Sequence, residues 1–449
     1  MPMTRAATLA RLLPICMLLC AAPILTLYAA RDRSGSQRRS LLTIHLASAP
    51  LSAAIDMRSE RLLISTAASL DVLDARTGSQ VRSLPAVGSR FLTVAAPSGR
   101  IYVAGSAGID MRSADGSLLT TLALDPNAIG VDADARAQHV FVVTPDPSKR
   151  SASCADGSIT MLDSWGGRIL HTAPLGPVSQ GGEICYSFAS LPHTVAIDQD
   201  MHRLFAPSWT AYQKLPAGTS GMRASDGTWF ATDALVMVDT TNGAFLRRVA
   251  LPGSASTFIA DERTHRVFVI NDAGITVLDA ATGQPIRTLR LSGSALFVDR
   301  RNGQVWLLAY DPRRSSLYVL DGSTGTLLRR VALPFLGDSL VAAAADEGNG
   351  RLFLLLQPPS GEPAAHVEII DASRGTRIAS IPAGEDAPLM LFDERTSRLF
   401  ILARGSVAVP SPEPESWWRR LLARFAWYQA RSTPSYPNGG TVTVIGVPK

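Results

Sequence analysis

Short apolar bursts separated by polar turns run through residues 41–449 with a recurring order. An arginine or a substitute, then an aliphatic residue, an aromatic or Leu, and a second small or aliphatic residue occur eight times. They are RLLI at Arg61, RIYV at Arg100, HVFV at His139, RLFA at Arg203, RVFV at Arg266, QVWL at Gln304, RLFL at Arg351 and RLFI at Arg398. Before most of them lies an apolar run ending in Asp, as at Asp56, Asp198 and Asp299. After them comes a second run ending in Asp and then Gly, as in DVLDARTG at Asp74, ITVLDAATG at Asp279 and LYVLDGSTG at Asp321. A fourth run closes each unit, as in LLRRVALP from Leu327.

Runs of four to six residues rich in Val, Ile, Leu and Phe, bounded by Gly, Pro, Asp or Asn, are strands. Four such strands in tandem units predict the blades of an all-β propeller, one domain over 41–449. Eight units predict eight blades; seven remain if one unit is absorbed irregularly. The Asp before each turn accepts backbone N–H bonds two residues on, and Gly supplies positive φ, so these carboxylates read as turn residues rather than as catalytic or metal-binding groups. Unit 2 agrees, with Ala96 and Ser113 taken as the residues at its two Asp positions and its strands intact.

The repeat resembles the YVTN family of β-propellers, part of the wider WD40-like and quinoprotein-like group. Arg266 to Gly283, RVFVINDAGITVLDAATG, follows that family's strand–loop–strand–Asp–Thr–Gly pattern most closely. The resemblance implies a fold and says little about ligand, since its members differ in what they bind. It also implies a periplasmic, surface-layer or lipid-anchored setting.

The chain ends fit one ring. The last unit stops at TVTVIGVPK, a third strand without a fourth, and LLTIHLASAP precedes the first unit as a spare outer strand. Leu41–Ala47 is therefore expected to complete the last blade and remove its open edge. In an antiparallel four-stranded blade, the loop between strands 2 and 3 and the connection to the next blade share one face. The long excursions at 144–157, 207–233 and 404–440 are such loops, and 171–192 is such a connection, so all four are expected to decorate one face. Binding residues concentrate on loops held by a rigid scaffold. On that face the candidates are Trp209, Tyr212, Trp229, His171 and His193.

Cys154 and Cys185 fall in two of these excursions on adjacent blades, which makes a disulfide the leading reading, ahead of free thiols or metal ligation. His193, with Glu183 and Tyr186, is the weak candidate for acid–base or metal chemistry. The equivalent positions in the other units are Leu51, Phe91, Asn127, Ser256, Ser294, Val341 and Pro388, with Asp132 counted as the turn residue of unit 3. One ionisable residue among eight is too few for a catalytic mouth, so a hydrogen-bonded loop anchor is the preferred reading of His193. In the last excursion, SPEPE followed by SWWRRLLARFAWYQAR predicts a capped helix. Trp418, Leu421, Leu422, Phe425 and Tyr428 fall along one side beside Trp417, with Arg419, Arg420 and Arg424 towards the others. Such a helix packs as a lid or lies in a membrane interface or against a partner.

Leu12 to Ala30 is 19 residues without a charge, about 28 Å as a helix, close to the thickness of a hydrocarbon core. Tyr28 at −3 disfavours cleavage after Ala30, so residues 1–40 read as a signal-anchor and short stalk, with a cleaved secretory signal as the alternative. Arginines flank both sides, and charge bias does not set the topology. An exported body is the preferred orientation. The net charge of +5, carried by 43 Lys+Arg against 38 Asp+Glu, shows no basic run in the globular part, which argues against nucleic acid. Charged residues are 18%, below the usual quarter, as a membrane segment and blade-to-blade strands would produce. No phosphate loop, nucleophile elbow, zinc pair or calcium loop occurs, and no cofactor or metal is implied. The expected role is a membrane-anchored extracytoplasmic scaffold binding a protein, glycan or small molecule. The alternative is a lactonase-like or quinoprotein-like enzyme at the decorated mouth.

Overall fold

The computed structural model describes residues 41–85, 91–95, 98–105, 108–124, 128, 130–145, 157–175, 195–212, 222–223, 229–311, 314–334, 338–358, 365–384, 387–404 and 439–447. Residues 39–449 form a single compact unit. Their strands make eight sheets, seven of four strands and one of five, every pairing antiparallel. In blade 5 the order is 255–261, 266–271, 274–279 and 285–289 from the axis outwards. Innermost strands of neighbouring blades touch around the ring, and apolar clusters fill the seams between blades. Phe268, Ile270 and Val277 of blade 5, for example, pack on Leu296, Val298 and Leu307 of blade 6. The eight-bladed propeller expected from the repeats is therefore the fold.

Blade 8 is made from both ends of the domain. Strand 41–46 pairs with 440–446, from Leu41 opposite Ile445 to Leu46 opposite Gly440. Leu46 is buried among Leu62, Ile64, Phe400 and Val442, tying this strand to blade 1 as well as blade 8.

The repeated Arg and the repeated Asp explain one another. Strand 2 begins opposite the last residue of strand 3, so Arg61 faces Asp74, Arg203 faces Asp239 and Arg266 faces Asp279. The last two pairs are ion pairs of 2.9 Å. In seven blades the first strand ends in a buried Asp that caps its turn. Asp299 Oδ1 accepts from the Asn302 backbone N–H and Oδ2 from the Asn302 amide, at 3.1 and 2.8 Å. Two positions differ from the sequence expectation. In unit 2, Ala95 rather than Ala96 occupies the first Asp position, because it is Ala95 that pairs with Arg100. In unit 3 the turn residue is Asp134, opposite His139, and Asp132 lies two residues inside the strand.

The residue just before each second strand has left-handed backbone in all eight blades. It is Gly at 99, 303 and 350, but Glu60, Gln138, His202, His265 and Ser397 hold the same φ of 53–58°. In seven blades this twist aims a carbonyl at the N–H after strand 3, as from Ala75 to Glu60, Ala280 to His265 and Val447 to Ser397. The hydrogen bond offsets a conformation that costs about 1 kcal/mol for a residue with a side chain.

Candidate binding face

The topology separates two faces. On one, the turns between strands 1 and 2 and between strands 3 and 4 are short. They are stitched from blade to blade around the channel mouth. The Ala135 N–H donates to Gln199 Oε1 at 3.1 Å, and the Glu347 N–H to Glu394 Oε1 at 3.0 Å. In return, Arg263 donates to the Arg300 carbonyl at 2.6 Å, Arg301 to the Gly348 carbonyl at 2.7 Å, and Arg395 to the Met57 carbonyl. The signal for this belt is present in the chain as DER at Asp261 and Asp393, DRR at Asp299 and DMR at Asp56, a pattern the repeat reading passed over.

The opposite face carries the excursions. In blade 4 both ends of the predicted loop 207–233 are strand: 203–212 and 229–239 continue beyond the ring as one hairpin, with Tyr212 paired to Trp229. A two-residue strand, Met222–Arg223, adds to its edge opposite Phe230 and Trp229. Trp209 is the residue at the register shift between Ser208 and Thr210. Three sequence-predicted binding residues are thus on one hairpin. The other excursions are bounded by Pro145 and Gly157, by Arg404 and Gly440, and by a third-blade outer strand that runs on to Pro174. His193, Glu183, Tyr186, Cys154, Cys185 and the 416–431 segment with Trp417, Trp418, Arg419, Arg420, Leu421, Leu422, Arg424, Phe425 and Tyr428 lie outside the described residues. So do residues 1–40; among the described residues no helix is long and apolar enough to cross a membrane.

His171 is placed elsewhere than expected. It sits within the outer strand of blade 3 opposite Met161, and its ring lies against Gly243 in the strand 3–4 turn of blade 4. That turn belongs to the short-turn face, so His171 is an exposed strand residue beside the blade 4 turn, and the strand runs on to Pro174.

Two ionisable sites were not anticipated. On the excursion side of blade 7, His366 Nε2 lies 3.5 Å from Glu368 Oε1 and 3.6 Å from Asp338 Oδ2. Arg377 stands 3.6 Å from the same Glu368 oxygen. Glu368 is buried, and its Oε2 has no hydrogen-bond partner among the described residues. The group joins the start of the innermost strand at Asp338 to the third strand at His366 and Glu368 and the fourth at Arg377. The second is Asp132, on the innermost strand of blade 3. Its neighbours Val131 and Ala133 pack into the seam with blade 2, which turns Asp132 to the other side. Equivalent positions hold Ala54, Thr93, Ala196, Ile259, Phe297, Ala344 and Leu391. Desolvation pushes its carboxyl up to about 6, opposed by the Ala133 N–H and reinforced by Asp134. Among the described residues no group of three His, Cys, Asp or Glu side chains could hold a metal ion.

No protein-family model and no curated protein sequence matches the chain. Solved structures do. The C-terminal WD40 domain of Sif2 aligns over 90% of this chain and 97% of its own, at 10% identity and a TM-score of 0.57. Saccharomyces cerevisiae Sqt1 aligns over 81% and 95%, at 10% identity and 0.56. A europium-containing methanol dehydrogenase aligns over 86% and 89%, at 12% identity and 0.50. At these identities the likeness is one of fold alone, a β-propeller shared by a WD40 domain and a dehydrogenase.

Proposed function

We propose that this chain is a membrane-anchored, extracytoplasmic propeller of the YVTN kind that binds a protein, glycan or small molecule without catalysis. The anchor is Leu12–Ala30, and the ligand meets the excursion face. The observation that carries this reading is the asymmetry of the disc. One face is closed by short, mutually bonded turns, while the long excursions interrupt the chain at the opposite ends of the strands, where the backbone of the blade 4 hairpin carries Trp209, Tyr212 and Trp229. Aromatic residues carry large contact area in binding surfaces. An oxidising compartment accords with the expected bridge between Cys154 and Cys185.

The test is cross-linking of the full chain in its native envelope, followed by capture. Replacing residues 213–228 by a two-residue Asn-Gly turn, together with Trp209→Ser, should abolish the captured partner while leaving the melting temperature of the ring unchanged. Retention of the same partner would place binding elsewhere.

A further inference from the structure

Each buried Asp at the end of a first strand has two oxygens to satisfy. Oδ1 accepts backbone N–H groups of its own turn, as Asp134 Oδ1 does from Arg136 and Ala137 at 2.9 Å. In five blades the residue three positions on caps Oδ2 with its side chain. Ser59, Thr264 and Thr396 donate their hydroxyls to Asp56, Asp261 and Asp393 at 2.5–2.6 Å. Asn302 and Asn349 donate their amides to Asp299 and Asp346 at 2.8 and 2.9 Å. Blades 3 and 4 have Ala137 and Met201 at that position, and neither side chain can donate.

The two blades that follow these hold a histidine at the left-handed position before the second strand, His202 in blade 4 and His265 in blade 5. The other six blades have Glu60, Gly99, Gln138, Gly303, Gly350 and Ser397 there. His265 crosses the blade 4–5 seam and supplies the missing cap, with Nδ1 3.1 Å from Asp198 Oδ2. His202 holds the equivalent position beside Asp134. Yet Asp134 Oδ2 and His202 Nδ1 are both buried, and neither has a hydrogen-bond partner among the described residues. A carboxylate oxygen left in that condition keeps its full desolvation penalty.

One residue distinguishes the two seams. The position after the third strand is Ala280 in blade 5 and Thr240 in blade 4. This position points at the carboxylate of the preceding blade: a Cβ added to the equivalent Gly322 of blade 6 would lie 2.8 Å from Asp261 Oδ2. Thr240 is fully buried, and its Oγ1 is also without a partner among the described residues. A side chain larger than Ala holds the imidazole off the carboxylate and brings a hydroxyl to the same point.

We infer that one buried water molecule caps Asp134 across the blade 3–4 seam. It donates to Asp134 Oδ2 and accepts from the His202 Nδ1–H and the Thr240 hydroxyl. Three hydrogen bonds are usual for an internal water, and each of these goes to a group that has no other partner. A divalent cation is the poorer occupant, because one carboxylate, one imidazole and one hydroxyl are a sparse ligand set. No third His, Cys, Asp or Glu completes a metal group among the described residues. Blade 4 is then tied to blade 3 through water and to blade 5 directly. The inference concerns the ring and does not depend on the binding reading above.

A crystal structure of the full chain tests it. The expected result is one density peak within about 3 Å of Asp134 Oδ2, His202 Nδ1 and Thr240 Oγ1, without anomalous signal. Ala137→Thr supplies the cap that five blades already have and should expel this water. His202→Ala should lower the melting temperature by about 2–4 °C in the otherwise wild-type chain, and by less than half of that in the Ala137→Thr chain. Lost packing alone would cost the same in both backgrounds. Direct contact between the imidazole and the carboxylate, an anomalous peak at metal–ligand distance, no density at the site, or equal losses in the two backgrounds would each overturn the inference.

Discussion

The backbone N–H of Glu347 in blade 7 donates to Glu394 Oε1 of blade 8 at 3.0 Å, bringing a second carboxylate within electrostatic reach of the Glu347 side chain. Burial pushes the Glu347 carboxyl from 4.5 up to about 7; Arg300, 3.7 Å away, opposes the shift and Glu394 adds to it. The folded chain then holds a proton that the unfolded chain has released. The stability this group contributes is complete below pH 4.5 and is lost as pH rises through about 7. Glu347→Gln should therefore stabilise the ring by about 1–3 kcal/mol at pH 8 and leave it unchanged at pH 4. Urea unfolding at the two pH values measures the difference, and equal effects at both would refute a titrating seam.

Asp132 gives a second, lower window. Its carboxyl moves from 3.8 to about 6, so its contribution to stability is lost as pH rises between those values. Asp132→Asn should raise stability by about 1–2 kcal/mol at pH 7 and have little effect at pH 3.5. A carboxyl-carbon NMR titration of the wild-type protein should show one midpoint well above the other Asp residues. The turn carboxylates go the opposite way: hydrogen bonds from the Ser323 hydroxyl and the Thr324 N–H hold Asp321 below its ordinary value, so its contribution disappears as acid is added.

Gly350 and Gly375 separate backbone strain from steric collision. A methyl group on Gly350, at φ 65°, meets nothing within 4 Å, so Gly350→Ala should cost about 1 kcal/mol from conformation alone. On Gly375 the same methyl would lie 2.2 Å from Val331 Cγ1 and 2.6 Å from the Ala332 carbonyl oxygen of blade 6. Gly375→Ala should cost about 3 kcal/mol or more, because the seam must open. Chemical denaturation of the two variants compares them directly, and equal losses would mean that the turn does not wedge into its neighbour.

Strand 41–46 should be needed by the whole ring. Removing it exposes the edge of strand 440–446 and takes Leu46 out of the cluster shared by blades 8 and 1. Burial of Leu46 alone is worth about 2 kcal/mol, and the lost ladder adds to it. A chain lacking residues 1–47 should melt at a clearly lower temperature and self-associate through the open edge. An unchanged melting temperature would show that blade 8 stands with three strands.

Much of the fold was readable in the chain because strand alternation and Asp–Gly turns are local. Units 5 and 6, with both Asp positions filled, follow the expected strand bounds closely. Reading failed where two registers competed: VDAD offers Asp132 and Asp134 at the same spacing parity, and only the pairing with His139 selects Asp134. His171 looked like loop because the blade 3 outer strand is followed by a long polar excursion. Its contact with Gly243, 72 positions along the chain, has no local signature.

The number of units, their four strands, the closing strand at 41–46 and the turn role of the aspartates were determined by the sequence alone, since each depends on residues within one unit or on what the last unit lacks. Tertiary structure decided what lies between blades. The Glu347–Glu394 contact, the hairpin built from a predicted loop and the His265–Asp198 contact all arise from closing eight twisted sheets around one axis. Closure places side chains from different units at a common radius and height, and no periodicity within a single unit carries that information.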